Sequence, residues 1–170
     1  MSSPEVAPNL HRVVTGHDAG GTAIVILDDD AQNARLFEGG TVSRLVWSTD
    51  RTPADIRMGT SIEDAGARRL ATAPPPNGSR FAVIDFAPYS IGPMHRTETL
   101  DYVLVLSGDV EMQLDNTCIS LKAGDVLVQR GTNHSWINKT DQWARVAFVL
   151  LDANPLGIGR PITGNQSPVE

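Results

Sequence analysis

The chain has 170 residues and a mass of 18.3 kDa, enough for one domain with a sizeable core. Fourteen Lys and Arg stand against 20 Asp and Glu, a net charge of −6, which argues against a protein that grips a phosphate backbone with clustered cations. The single cysteine, Cys118, excludes an internal disulfide and any CxxC site, and no apolar run reaches the roughly 18 residues of a membrane span.

Residues 1–9 are polar, carry two prolines and read as a loose arm. They lack a basic stretch followed by an apolar one, so no signal peptide is expected and a soluble, cytoplasmic protein is the default. The arm is drawn over residues 1–19, with His11 and His17 exposed in it. Thr22 to Leu27 (TAIVIL) predicts a strand that runs into a solvated turn at Asp28, Asp29 and Asp30. Thr41 to Trp47 is a second strand. Thr49 to Ala73 carries a weak helical flavour, and Pro74 to Gly78 is a stiff turn. Strands follow at Arg80 to Phe86, Leu100 to Leu106, Val110 to Leu114, Cys118 to Leu121, Val126 to Gln129 and Arg145 to Leu151. Several short strands at this spacing predict an all-β sandwich or barrel, and the lack of strand–helix alternation argues against a parallel sheet. One domain is expected over residues 20–153. A Gly- and Pro-rich tail, 154–170, is either disordered or laid on a partner subunit.

Two of the four histidines sit in turn-flanked segments of the dense half. One segment runs His95-Arg-Thr97-Glu98-Thr-Leu-Asp101-Tyr102 on to Gly108; the other runs Gly124 to Gln129-Arg130-Gly131-Thr-Asn-His134-Ser-Trp136-Ile-Asn138. Together they resemble the two motifs of the cupin superfamily. The first keeps its spacing with Thr97 and Asp101 in place of a histidine and a glutamate. The second has Arg130 for proline and is one residue shorter. The first motif's leading glycine is displaced, with Gly92 three residues before His95. The strings are also similar to a small-cupin subgroup, some of whose members are named as cupin-domain oxidoreductases of fungal natural-product pathways. The resemblance covers roughly residues 80 to 151. It implies a double-stranded antiparallel β-helix or jelly-roll barrel and a homodimer paired through the N-terminal strands.

It also implies a divalent metal, Fe(II), Zn(II), Mn(II) or Ni(II), on His95, Asp101 and His134, a two-histidine, one-carboxylate set that leaves room for oxygen and a small organic substrate. Because Thr97 replaces an imidazole, a degraded site with no metal is the alternative. His95, Thr97 and Asp101 share strand parity, but six residues span roughly 20 Å of extended chain, so convergence needs a break between Thr97 and Leu100. Glu98 is either a general base or a solvated turn residue. Tyr102 is kept as a second catalytic candidate although parity turns it from Asp101. Thr97, Gln129, Arg130 and Trp136 are candidate substrate contacts, with Arg130 suited to an anionic group. The expected function is a metal-dependent small-molecule oxidoreductase. The alternatives are a Lewis-acid isomerase, lyase or cyclase, or a non-catalytic ligand-binding cupin. No nucleic-acid or membrane partner is expected.

Overall fold

The computed structural model describes residues 7–158. Eleven strands follow in order: β1 (His11–His17), β2 (Ala23–Asp30), β3 (Ala34–Leu36), β4 (Val42–Thr49), β5 (Ser79–Phe86), β6 (Thr99–Ser107), β7 (Asp109–Gln113), β8 (Cys118–Lys122), β9 (Val126–Arg130), β10 (Ser135–Ile137) and β11 (Ala144–Asp152). Every strand pair is antiparallel. A six-stranded sheet in the order β3-β4-β5-β11-β6-β9 faces a three-stranded sheet, β10-β7-β8, and β1-β2 form a separate hairpin. This is an all-β, antiparallel jelly-roll barrel, as the strand rhythm predicts.

The alternation on each strand sorts side chains between the core and the outside. On β6, Val103 and Val105 are buried while Tyr102, Leu104 and Leu106 are exposed. The core takes Phe86, Val103, Val105, Val146, Phe148 and Leu150 from the large sheet and Val110, Met112, Leu121 and Trp136 from the small one. It ends in a floor of rings, with Trp136 edge-on to Phe148 at 5.3 Å between centroids and tilted on Phe86 at 6.1 Å.

Three sequence expectations give way. The arm contains β1, whose register against β2 pairs His11 with Asp30 and Arg12 with Asp29. The three aspartates are therefore strand residues, not a turn. Arg12 holds Asp29 with two hydrogen bonds, from Nε (2.9 Å) and Nη2 (2.7 Å), and reaches Asp64 in the long connection. The weakly helical stretch is irregular: no helix occurs among the described residues. Its order comes from ion pairs, with Arg68 bridging Glu63 and Asp50, and from Asn33 donating to the carbonyls of Gly66 and Arg68. Among the described residues, no helix is long and apolar enough to cross a membrane.

A buried charge cluster ties the N-terminal segment to the large sheet. Asp85, 1 % exposed, accepts from Arg44 on one side and from Arg145 Nε (2.6 Å) and Nη2 (3.1 Å) on the other. Arg145 in turn donates to the carbonyls of Pro8 and Asn9.

Candidate functional site

The chain breaks where the sequence requires it. A bend at Glu98 separates the bridge residue His95 from the start of β6. Residues 91–95 then run antiparallel beside 134–137, with bridges at Ile91–Ile137 and His95–His134. Gly92 lies tight against this partner: an added Cβ would sit 3.2 Å from the Trp136 carbonyl oxygen. Gly131, at φ 62°, takes the left-handed turn that leads into Thr132, Asn133 and His134.

His95 and His134 face one another with ring centroids 4.2 Å apart. Each ring is fixed in the same way, since His95 Nδ1 lies 3.0 Å from the Pro93 carbonyl and His134 Nδ1 lies 2.9 Å from that of Thr132. A carbonyl only accepts, so Nδ1 is the donor in each contact, and the Nε2 of the neutral His134 ring is an acceptor that faces the Gln129 amide. Burial, and then the nearby His95, pushes the His134 pKa down to about 4, so His134 is neutral at pH 7.

Asp101 is buried at 4 % exposure, and desolvation raises its carboxyl to about 6 against the opposing pull of Thr99 and Arg80. Its Oδ2 accepts from Gln129 Nε2 at 3.0 Å, and the same amide nitrogen lies 3.4 Å from His134 Nε2. Gln129 thus stands between the carboxylate and the imidazole. Asp101 Oδ1 and Gln129 Oε1 are buried and have no partner.

Both histidines open onto a cavity of about 460 Å³. Its walls include the aromatic floor of Phe86, Trp136 and Phe148, and its polar lining includes Ser43, Arg80, Thr97 and Asp101. The structure therefore brings His95, Thr97, Asp101, His134 and Trp136 to one cavity, with Gln129 directly behind. Thr97 is buried, and its hydroxyl lies 2.8 Å from that of Thr99. The remaining candidates lie elsewhere. Glu98 does not line the cavity; it lies 3.6 Å from Arg96. Tyr102 is 44 % exposed on the outer face of β6, where parity places it. Arg130 is exposed at the end of β9. The arginine that does line the cavity is Arg80, which the sequence reading passed over. Its signal was a charged residue in phase with Ala82, Ile84 and Phe86 on an alternating strand.

The side chains as they stand do not fit the three-ligand metal centre that the motifs imply. Donors bound at roughly 2.1 Å crowd around one point. Among the described residues, no group of three His, Cys, Asp or Glu side chains is gathered in that way. The two imidazoles meet, but the Gln129 amide holds the carboxylate back from His134. What this chain offers is a pair of imidazoles, a carboxyl with a raised pKa, and a largely apolar chamber.

A family model described as Cupin domain matches residues 82–150. Phomopsin biosynthesis cluster protein C' of Diaporthe leptostromiformis is 36 % identical over 170 residues, covering 95 % of this chain and 88 % of that protein. The cupin-domain-containing oxidoreductase virC of Hypocrea virens is 35 % identical over 164 residues, covering 89 % and 82 %. Among solved structures, a Cupin 2 conserved barrel domain protein from Salinispora arenicola CNS-205 superposes with a TM-score of 0.47 at 17 % identity, covering 70 % of this chain and 82 % of that one.

Proposed function

Because this chain belongs to the cupin-domain family, we propose that it is a small-molecule enzyme of the oxidoreductase type, acting on a compact, largely apolar substrate held between the ring floor and the imidazole pair. One observation carries the reading. Two imidazoles, each fixed by a carbonyl at Nδ1, line a cavity of about 460 Å³, within the size range of small-molecule sites. The relatives named as oxidoreductases support the reaction class.

The roles follow from the geometry. Phe86, Trp136 and Phe148 take the apolar body of the substrate and exclude water. An acidic O–H or C–H of the substrate meets an Nε2 atom, which accepts its proton and leaves the electron pair on the substrate anion, for dioxygen from solution to take up as the oxidant. Asp101 sits one amide away through Gln129, in the range where a carboxyl both holds and releases a proton near neutral pH.

The test uses the wild-type protein and the His134→Ala variant, each incubated in air with the small-molecule extract of the producing organism and followed by mass spectrometry. A species that loses two hydrogens or gains oxygen with the wild type alone is the expected result. Equal conversion by the variant would refute the imidazole roles. A second reading, a non-catalytic binding protein, draws on the lack of a three-donor group among the described residues. It is the outcome if one compound co-purifies unchanged and nothing is converted.

A further inference from the structure

Arg80 lines the cavity from β5. In the register of the large sheet it pairs with Leu150, Leu150 with Asp101, and Asp101 with Gln129, so the four side chains form one row across β5, β11, β6 and β9. Two strand spacings separate Arg80 from Asp101, roughly 10 Å between Cα atoms, and no ion pair joins them. The buried arginines Arg12, Arg44 and Arg96 each lie within ion-pair distance of a carboxylate. Arg80 does not. Its Nε is buried with no hydrogen-bond partner, and its Nη2 donates a long hydrogen bond to Ser43 Oγ at 3.3 Å. Arg35 nearby adds repulsion; burial and that repulsion bring the Arg80 pKa down to about 10, which still leaves it charged at pH 7.

A largely desolvated guanidinium with no ion-pair partner is costly, and the pull of the more distant Asp101 carboxylate offsets this one only in part. It faces the chamber that the imidazoles face. Its planar fork pairs bidentately with a carboxylate, the anion of lowest charge and bulk that fits a largely apolar chamber of this size. We propose that Arg80 binds the carboxylate of the substrate, so that the ligand of this site is an apolar acid of aromatic size with its carboxylate at Arg80 and its reacting part at His95 and His134. This rests on the reading of the cavity as the substrate chamber, and it names the substrate class.

The experiment is isothermal titration of the full chain with 2-naphthoate and with its neutral counterpart, 2-naphthamide. The wild type is expected to bind the acid at least tenfold more tightly than the amide. Arg80→Met is expected to bring the acid down to the affinity of the amide and leave the amide unchanged; Arg80→Lys keeps part of the preference. Without ligand, Arg80→Met is expected to melt at a higher temperature than the wild type, because a buried charge without an ion-pair partner has gone. A merely structural arginine would make it melt lower. Should Arg80→Met fail to fold, Arg80→Gln carries the same comparison. Equal binding of acid and amide by the wild type overturns the role of Arg80 and leaves the chamber standing as a small-molecule site. Failure of both to bind at millimolar concentration overturns the chamber reading and this proposal with it.

Discussion

His95 and His134 are tied to each other through the backbone, each N–H donating to the other's carbonyl at 2.9 Å. This reciprocal bond lies outside every named strand, so the spacing of the two rings is set locally and not by a long ladder. Each ring is then locked by a carbonyl two residues earlier. The expected nitrogen NMR signature of His134 at pH 7 is therefore a protonated Nδ1 and an unprotonated Nε2, with Nδ1 the hydrogen-bond donor in both rings. A His134 ring protonated at Nε2 would show that the Thr132 carbonyl does not hold it. The His134 ring is expected to remain neutral well below pH 6, since its pKa is lowered to about 4.

The same pair of buried groups sets opposing slopes in stability against pH. The unfolded chain protonates His134 near the ordinary 6.5, whereas the folded one does so only near 4, so this contribution is full above 6.5 and lost as pH falls through 4. Asp101 is raised from 3.8 to about 6, so its contribution is full below 3.8 and lost as pH rises through 6. The two offset each other between pH 4 and 6, and the wild-type melting temperature should change little on their account. Asp101→Asn leaves the histidine term alone, and the melting temperature should then fall steadily with acidification, by up to about 1.4 kcal/mol of stability per pH unit. His134→Asn should tilt the profile the other way. Parallel profiles for all three proteins would contradict this account.

Asp85 neutralises two guanidiniums from inside the sheet. Asp85→Asn leaves Arg44 and Arg145 without their carboxylate in a buried setting. The expected cost is about 3 kcal/mol, read from urea unfolding, since removing one partner of a buried pair strands the others. Faster hydrogen exchange should appear first around residues 7–10, which Arg145 anchors through Pro8 and Asn9. A loss below about 0.5 kcal/mol, the level of an exposed pair, would show that the cluster is solvated.

The outer face of β6 and β9 carries Tyr102, Leu104, Leu106, Val126 and Val128, all exposed, with Tyr102 opposite Val128 and Leu104 opposite Val126. A contiguous apolar face of this kind marks an association surface, and β9 is a sheet edge. We propose that a second copy of the chain covers it, in place of the pairing through the N-terminal strands that the family resemblance implies, giving a mass near twice that of the monomer by light scattering. Leu104→Glu should return the monomer, and an unchanged mass in that variant would locate the contact elsewhere.

The barrel was legible because β5, β6, β9 and β11 alternate cleanly or are bounded by Gly and Asp turns. The hairpin β1–β2 was not. Its strands carry charge where a core strand would carry apolar residues, and the meaning of Asp28 to Asp30 depends on His11 and Arg12 lying across from them. A local pattern cannot show that pairing. β10 has three residues, too few to display any period. Within the site, motif spacing located His95, Asp101 and His134, but it could not reveal that Gln129 would stand between two of them. Arg130 drew attention because it lies inside the motif. Arg80 did not, although its parity on β5 already aimed it inward.

Part of the chamber wall belongs to a separate piece of chain. Phe37, Glu38, Gly39 and Thr41 lie on the turn joining β3 to β4, closed by bonds from Phe37 N to the Thr41 carbonyl at 2.8 Å and from Gly40 N to the Phe37 carbonyl at 3.1 Å. No part of this turn supports the imidazoles. Insertions or trades of bulk there would reshape that wall while the inner fittings stay in register, so one scaffold can be retuned for new guests by editing a single hairpin tip.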